Sequence, residues 1–564
     1  MERDVKQCQN CRKEFAVEPV DFVFYDKMKV PTPTWCPECR GIRRMLFASY
    51  CQLFRKTEKR TGNVLFCTYP ETSDIEVYER DYWYSDAWDA FSYGREVDFS
   101  RPFLAQLFEL SRKVPWPSKS ARELINSKYS NQASYLKNCY LCLNGGTAEN
   151  CLYCISFIGI RDCMDVFSLL SSELCYEIYQ GARNYQCFFS SDVEDCRDVW
   201  FSKDMRNCSN CFGCYGLRGK QYNIFNEQYS KEEYEAKIKE LNKGSFAAVQ
   251  GIKKKAYEVE LTVPHKYFHG VNNVDVSGDY IYGSKNAHDV YEVGGAENVR
   301  FSENINAAKD SYDYTSWGEN SELMYEAAVC GDQCSNVKFS ADSWPAMRDT
   351  EYSLNCHSSA NVFGCVGLRK KQYCILNKQY SKDEYEALVP KIIEHMNKMP
   401  YKDPEGREYK YGEFFPPQFS PLAYNETIAN EYYPRTKEEV QKLGFLWRDP
   451  DLKEYSTTIT ADALPDHISE AQDSITKEVI QCADCKRAYR ILEPELAFYR
   501  RFEIPVPHLC HRCRHKLRIG QRNPRLLYER SCMKAGCSNS FKTTYAPLRP
   551  EIVYCESCYN AAVA

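Results

Sequence analysis

The sequence predicts a mainly β protein: a duplicated parallel β-solenoid with repeats of about 12 residues, capping helices and cysteine-rich ribbons at both termini. Three observations support this prediction. Paired Cys-x-x-Cys motifs stand near both ends of the 564 residues with the same spacing. Short sequence motifs recur at intervals of about 12 residues through the middle of the chain. The phrase that closes the first array, Cys211–Tyr222, returns as Val362–Tyr373, so the middle is duplicated over about 151 residues.

The cysteine pairs at the two ends are spaced as metal ligands. In each set a Cys-x-x-Cys pair is followed, after an interval of identical length, by a second Cys-x-x-Cys and an arginine. The N-terminal set is Cys8, Cys11, Cys36 and Cys39, and the C-terminal set is Cys482, Cys485, Cys510 and Cys513. Four thiolates close a tetrahedral structural zinc site with no open position. The alternative is a set of disulfides, which a chain starting without a signal peptide does not favour.

A third set follows the second, and its counterpart near the N-terminus has changed. The third set is Cys532, Cys537, Cys555 and Cys558, and the interval between its two pairs is shorter than in the other sets. Aligning the two ends places Glu79 and Tyr82 where Cys555 and Cys558 stand. Cys51 and Cys67 lie nearby but do not reproduce the spacing. We therefore expect three Zn²⁺ sites and one metal-free ribbon copy.

The middle of the chain has the short period of a solenoid. The first array runs through Asn138, Asn150, Asp162 and Leu174, and after a slip resumes at Asp195 and Asn207. The second runs through Asn286, Asn298, Asp310, Glu322 and Cys334, then Asp349 and Asn361 after a three-residue insertion. A polar turn residue followed by alternating residues predicts a strand and a turn in each repeat. Whether one coil takes one 12-residue unit or two stays open.

The cysteines of the first array are predicted to pack in the solenoid interior. The alternative is a metal or redox site at Cys139 with Cys142 and at Cys151 with Cys154. We regard that alternative as weaker because residues i and i+3 on a strand point to opposite faces.

Capping boxes and composition shifts complete the division of the chain. Ser230 with Glu233, and Ser381 with Glu384, predict the first turns of two helices. The predicted segments are a zinc ribbon over 1–48, a metal-free copy over 49–98, a helical connector over 99–130, solenoids over 131–229 and 257–380, a capping helix with linker over 230–256, a capping helix with a Tyr/Pro-rich cover over 381–448, a linker over 449–475, and zinc ribbons over 476–525 and 526–564.

The two ends resemble a bacterial zinc-ribbon family with the pattern Cys-x-x-Cys, Phe, Phe-Tyr, Pro, Cys-x-x-Cys-Arg. The matching residues are Cys8, Cys11, Phe15, Phe24, Tyr25, Pro33, Cys36, Cys39 and Arg40 at one end and Cys482, Cys485, Phe498, Tyr499, Pro507, Cys510, Cys513 and Arg514 at the other. Tyr489 replaces the first Phe in the C-terminal copy. The resemblance covers only the length of one ribbon at each end and implies zinc and a ribbon fold, but no particular activity. The whole arrangement is similar to bacterial proteins with ribbon ends and a repetitive middle.

Charge is distributed unevenly, although the net charge is only −5. Residues 511–530 hold six Arg and one Lys against one Glu, whereas residues 270–351 hold fifteen acids and five bases. Basic ends predict contact with RNA or DNA phosphates, with Tyr528 or Trp35 available to stack on bases. The candidate contacts are Arg40, Arg43, Arg44, Arg512, Arg514, Lys516, Arg518, Arg522 and Arg525. The alternative is that these are solvated helical faces beside zinc sites.

The expected function is therefore a non-catalytic, zinc-binding scaffold or adaptor whose ribbon ends contact nucleic acid or a nucleoprotein. The alternative is that the solenoid binds a protein or glycan, or even hosts an enzyme, while the zinc modules are purely structural. No phosphate-binding loop, dinucleotide fingerprint or nucleophile elbow is present, so the sequence favours no catalytic site. No apolar run reaches the ~20 residues of a membrane helix, and we expect a cytoplasmic protein.

Overall fold

The computed structural model describes residues 2–50, 52–449 and 456–563. Cys51, part of the predicted linker (450–455) and both terminal residues lie outside the described residues. Strands make up 33% and helices 24%, so the predicted mainly β solenoid is confirmed. The chain forms two compact units. Unit 1 combines Met1–Ser120 with Phe268–Asp449, and unit 2 combines Ala121–Tyr267 with Pro450–Ala564. The N-terminal ribbons thus belong with the second solenoid, and the C-terminal ribbons with the first.

The first solenoid, in unit 2, has one 12-residue unit in each coil. Ile155 pairs with Phe167, and Tyr179 pairs with Ser191, in parallel register. This register answers the question that the repeat left open. The strands are Ala121–Ile125, Asn131–Lys137, Leu143–Glu149, Ile155–Arg161, Phe167–Leu170, Tyr179–Ala182, Tyr185–Phe188, Ser191–Glu194, Arg197–Trp200, Lys203–Arg206, Ser209–Phe212, Gln221–Ile224 and Glu227–Gln228, of which the last turns back antiparallel.

Each coil is a four-sided frame with a left-handed backbone residue at every third position. Asn138, Leu141, Asn144 and Thr147 all have φ between 50° and 55°. The residue after each of these corners points inward, so Cys139 and Cys142 are both buried. The expectation that residues i and i+3 face opposite sides is therefore wrong here, because a left-handed corner lies between them. The inward residues are Ala133, Leu136, Cys139, Cys142, Ala148, Cys151, Cys154, Phe157, Ile160, Cys163, Val166, Leu169, Cys175, Ile178, Cys187, Val193, Cys196, Val199, Met205, Cys208, Cys211 and Cys214.

The interior thiols are hydrogen-bonded to the backbone. Cys142 Sγ donates to the Cys151 carbonyl oxygen at 3.2 Å, and Cys154 Sγ donates to the Cys163 carbonyl oxygen at 3.4 Å. Burial raises the pKa of Cys163 and Cys175 well above the usual thiol value. Cys163 and Cys175 accordingly act as small, neutral core residues.

Asparagine and aspartate occupy the corners because their side chains tolerate the left-handed conformation. One column forms a ladder in which each amide nitrogen donates to the next coil, from Asn126 through Asn138 and Asn150 to Asp162. Asp195 and Asn207 lie on a different column, and the coil length does not change between the two columns. The predicted slip is thus not an insertion. The repeated sequence motif continues at another corner of the coil, and the coil keeps its 12 residues.

The second solenoid, in unit 1, contains coils of more than one length. Glu297 pairs with Lys309 at an interval of 12, but Lys309, Glu322, Ser335 and Arg348 pair at intervals of 13. Three coils therefore carry one extra residue each. The strands are Gly270–Val271, Val274–Tyr282, Lys285–Gly294, Glu297–Arg300, Glu303–Asn306, Lys309–Glu319, Glu322–Ala328, Ser335–Ala341, Arg348–Glu351, Ala360–Phe363, Gln372–Ile375 and Lys378–Gln379.

These longer coils correct the assignment of two repeat positions. Glu322 and Cys334 were expected at corners, but Leu323 and Asn336 hold the left-handed conformation there. Asn336 donates to Asp349 at 2.7 Å and so continues the corner ladder. The predicted three-residue insertion is distributed over three coils because each coil can absorb one residue without losing its parallel pairing.

Helices cover the ends of both solenoids, and their predicted capping boxes are present. In unit 2 the Ser230 hydroxyl accepts from the Glu233 amide, and in unit 1 Ser381 accepts from Glu384. The helices of unit 2 outside the ribbons are Lys231–Glu240 and Phe246–Glu260. Those of unit 1 are Phe103–Lys113, Lys382–Lys398, Ala429–Tyr432 and Lys437–Lys442. Residues 456–477 fold as a short strand, Ile459–Thr460, and three 3-10 turns with Ile468 and Ile475 buried.

Among the described residues, no helix is both long and apolar enough to span a bilayer.

The left-handed corners make a prediction about exposed position 150. Asn150 has φ 55° and is exposed. Asn150→Val and Asn150→Gly both remove its ladder hydrogen bonds, but only valine is strained at positive φ. We expect the valine variant to be about 1–2 kcal/mol less stable than the glycine variant. Denaturant unfolding followed by circular dichroism measures the difference, and equal stabilities would contradict the corner geometry.

Candidate metal centres

Each predicted set of four cysteines comes together in the fold. In all three sets the four Sγ atoms lie within 4.8 Å of one another. Sγ–Sγ distances are 3.7 Å for Cys11 with Cys36 and 3.7 Å for Cys485 with Cys510. A disulfide would need about 2.05 Å, whereas thiolates around one ion at ~2.3 Å are separated by about 3.8 Å. The geometry therefore suits a metal ion, and each of the three sets could hold one.

The local fold explains why these cysteines converge. In unit 1 the strands Asp4–Gln7 and Glu14–Val17 form a hairpin whose turn carries Cys8 and Cys11. Cys36 is the N-cap of the helix Pro37–Met45, which places Cys39 in its first turn. Helix N-termini favour negative charge, so they stabilise thiolates. The intervening helix, Pro19–Met28, occupies part of the interval between the two cysteine pairs.

Unit 2 repeats this arrangement twice. The second set uses the turn between Ile480–Gln481 and Ala488–Tyr489 and the start of helix His511–Ile519, after helix Glu493–Phe502. The third set uses the hairpin Tyr528–Ser531 with Ser540–Thr543, strand Ile552–Tyr554 and helix Glu556–Val563. Strand Ile552–Tyr554 pairs in parallel with Pro264–Lys266 and so joins the third ribbon to the rest of unit 2.

Hydrogen bonds to sulfur atoms in each set favour the thiolate form. The backbone amides of Cys36, Cys510 and Cys555 donate to the first cysteine of their sets at 3.2, 3.3 and 3.3 Å. Side-chain hydrogen bonds from Asn539 and Ser557 lower the pKa of Cys555 to about 6. Although burial opposes it, backbone hydrogen bonds from Cys510 and Cys485 lower the pKa of Cys482 to about 7. These donors favour the deprotonated form that metal binding requires.

The metal-free copy after the first ribbon keeps the hairpin but has other side chains at the ligand positions. Glu58 follows the strand Phe54–Thr57, as Cys532 follows Tyr528–Ser531. Its carboxylate accepts from the Glu79 amide at 3.0 Å, as Cys532 Sγ accepts from Cys555. The Arg60 guanidinium bonds to Glu58 at 3.2 Å and lies 3.6 Å from the centroid of the Tyr82 ring. An arginine cation thus sits among residues that correspond to the metal ligands.

The helix after the first metal set is clamped to the second solenoid by buried ion pairs. Arg40 Nη2 lies 2.9 Å from Asp313 Oδ2, and Arg44 Nη1 lies 3.0 Å from Asp313 Oδ1. Glu326 Oε2 lies 3.0 Å from Arg44 Nη1, and Arg43 bridges Glu326 and Glu413 at 2.7 and 3.1 Å. Although burial opposes its charge, Asp313 raises the pKa of Arg40 well above the usual value. The helix is therefore part of the core of unit 1.

Unit 2 contains the same clamp at equivalent positions. Arg514 Nε lies 2.8 Å from Asp165 Oδ2, and Arg518 Nη2 lies 3.1 Å from Asp165 Oδ1. Both Asp165 and Asp313 are corner residues, with φ of 55° and 54°, and both carboxylates are fully buried. The main-chain contact is also repeated, because Arg40 and Arg514 each donate to the carbonyl five residues earlier, at 2.7 and 2.8 Å.

The Phe-Tyr pair of each ribbon belongs to the same interface. Tyr25 packs edge-on against Tyr325 with ring centroids 5.6 Å apart, and Tyr499 packs against Tyr176 at 5.7 Å. Phe24 stacks on Tyr312 at 3.8 Å. The repeated motif residues between the cysteines are thus solenoid contacts, a role that the sequence pattern did not reveal.

The clamps correct part of the nucleic-acid prediction. Arg40, Arg43, Arg44, Arg514 and Arg518 are at most 4% exposed and are engaged by carboxylates of their own unit, so they are not available for phosphates. Trp35 is fully buried beneath Arg43 and is not available to stack on a base. Arg512 and Lys516 lie on the exposed side of their helix, whereas Arg522, Arg525 and Tyr528 are half-buried.

The carboxylates that complete the clamps were not identified from the sequence. They are Asp165, Asp313, Glu326 and Glu413. The internal duplication could have indicated those on the solenoids. When the two copies are aligned with allowance for the longer coils, Asp165 corresponds to Asp313 and Glu177 to Glu326.

No protein-family model matches this chain, and no curated protein matches it.

The clamp predicts a large cost for neutralising Asp313. Asp313→Asn leaves two buried arginines short of a counter-charge, and we expect a loss of about 3–5 kcal/mol in the free energy of unfolding. Asp310→Asn is the matched control, since Asp310 is one corner earlier and pairs with Lys27 at the surface. The control should lose no more than about 1 kcal/mol. Equal effects in urea unfolding would show that the clamp does not hold the helix.

Proposed function

We propose that this protein is a non-catalytic scaffold in which three structural Zn²⁺ ions hold ribbon modules against two β-solenoids. The observation that carries the proposal is the repeated clamp: in each unit the helix beginning at a four-cysteine set is fastened to a solenoid corner by buried arginines. Four thiolates in tetrahedral reach suit zinc and leave no open position for substrate, so the ion's role is structural. The free interior thiols suit a reducing compartment such as the cytoplasm.

The exposed surface of the first solenoid supports a protein partner. Ile158 and Leu170 pair on adjacent coils and are 57% and 46% exposed, and Tyr135 is 44% exposed. Charged side chains on the same coils pair with opposite charges, as in Lys137 with Glu149 at 2.7 Å and Arg161 with Glu173 at 2.6 Å. Apolar side chains among neutralised charges fit a protein surface better than a polyanion.

The scaffold proposal predicts what loss of one zinc ion does. Cys482→Ser should reduce the zinc content from about three ions per chain to about two. Because the clamped helix starts at that site, amide hydrogen exchange should rise across His511–Ile519 and in the coil that carries Asp165. Elemental analysis and hydrogen-exchange mass spectrometry measure the two effects. Cys142→Ser, in the solenoid interior, is the control and should keep all three ions. Unchanged exchange around Asp165 would contradict the structural role.

A second candidate function, nucleic-acid binding, now rests on Arg512, Lys516, Arg522 and Arg525. The exposed positions of Arg512 and Lys516 on one helix favour it. We expect the zinc-loaded protein to bind labelled single-stranded RNA and duplex DNA weakly, with a shallow salt dependence. Fluorescence anisotropy at two salt concentrations, with the double variant Arg512→Ser/Lys516→Ser alongside, tests this. Tight binding that falls steeply with salt and is lost in the variant would replace the scaffold proposal.

A further inference from the structure

Unit 2 contains a cavity of about 340 Å³ beside the clamp. That volume lies in the range of small-molecule sites. The cavity is bounded by outer faces of the first solenoid, by the helix Phe246–Glu260 and by the end of the clamped helix. Its wall includes the stacked rings of Phe189 and Phe201, whose centroids are 4.7 Å apart.

Charged side chains line the other part of this wall. Four cations, Lys203, Lys253, Arg518 and Arg549, face three carboxylates, Glu177, Glu260 and Glu551. Each carboxylate has a cation of its own: Glu177 bonds to Lys253 at 3.0 Å, Glu260 to Lys203 at 2.7 Å and Glu551 to Arg549 at 3.1 Å. None of these three carboxylates pairs with the fourth cation, Arg518.

Arg518 is also less satisfied than its counterpart in unit 1. Arg44 donates from Nε to Thr315 at 2.8 Å and from Nη1 to both Asp313 and Glu326 at 3.0 Å. Arg518 is 3% exposed and shares Asp165 with Arg514, and within the described residues its Nε and Nη1 have no hydrogen-bond partner. For Nη1 the difference has a cause: Glu177, which corresponds to the acceptor Glu326, forms an ion pair with Lys253 instead. A buried guanidinium with unused donors is costly unless an acceptor is supplied.

We propose that this cavity binds a small molecule that carries a carboxylate or phosphate group next to an aromatic or apolar part. Arg518 and Lys253 hold the anionic group, and the Phe189 and Phe201 side contacts the apolar part. The mixed wall favours such a ligand because an anion alone leaves the half-buried Phe189 ring in contact with water, and an apolar molecule alone leaves Arg518 without an acceptor.

Titration calorimetry of the full-length, zinc-loaded protein tests the proposal with four probes. Phenyl phosphate and benzoate carry both parts of the predicted ligand, inorganic phosphate carries only the charge, and benzyl alcohol carries only the ring. We expect one or both of the first two probes to bind at least about tenfold more tightly than the last two. The order of phenyl phosphate and benzoate distinguishes a phosphate ligand from a carboxylate ligand.

Matched substitutions on one helix locate the site. Ala256 lines the cavity, whereas neighbouring Lys254 is exposed outside it. Ala256→Trp should fill the cavity and weaken binding at least about tenfold, and Lys254→Trp should leave it unchanged. Lys253→Gln should weaken the anionic probes because it leaves Glu177 unneutralised in the wall. The proposal is overturned if neither phenyl phosphate nor benzoate binds the unsubstituted protein, if Ala256→Trp binds as well, or if benzyl alcohol binds equally tightly.

Discussion

A left-handed residue at about every third position sets the geometry on which both units depend. It turns the chain after each three-residue side, closes a four-sided coil and points the following side chain inward. Small cysteine, alanine and valine side chains suit the interior of so narrow a coil. The corner residues themselves lie on the outside, so they either form ladders, as Asn138 and Asn150 do, or face a neighbouring element, as Asp165 and Asp313 do.

The ribbons depend on those corner carboxylates. Asp165 and Asp313 each receive two arginines from one helix turn, and the carboxylates and arginine side chains are at most 4% exposed. Removing charges from water is costly, so such a cluster specifies one docking geometry more than it adds stability. The helix in turn begins at the second cysteine pair of its set. A metal ion at the cysteines and the arginines one to five residues later therefore act on the same short element.

The two ends show alternative ways to build one ribbon. In the third ribbon four thiols converge, while in the copy after the first ribbon Glu58, Arg60 and Tyr82 meet at the corresponding place. If a metal ion binds the four thiols, both arrangements place a cation next to the hairpin turn and the following helix. The cation is the metal ion in the third ribbon and Arg60 in the other copy. The two clamps differ in a similar way, because equivalent carboxylates have different partners. Glu326 binds arginines in unit 1, but Glu177 binds Lys253 in unit 2 and leaves Arg518 beside a cavity.

The three cysteine sets, the solenoid class, the duplication and the capping boxes follow from the sequence alone, because each depends on residue types at short or fixed spacings. Cys8 and Cys39, or Ser230 and Glu233, are identified by spacing alone. The folded structure was needed to show that the first ribbon packs in the unit of the second solenoid, that some coils are one residue longer than the repeat, and that Cys139 and Cys142 share one interior. The folded structure also showed that Arg40 and Arg514 are core residues. From the sequence, a charged residue on a helix is expected to be exposed to solvent. These two arginines are buried because each pairs with a carboxylate hundreds of residues away, Asp313 or Asp165.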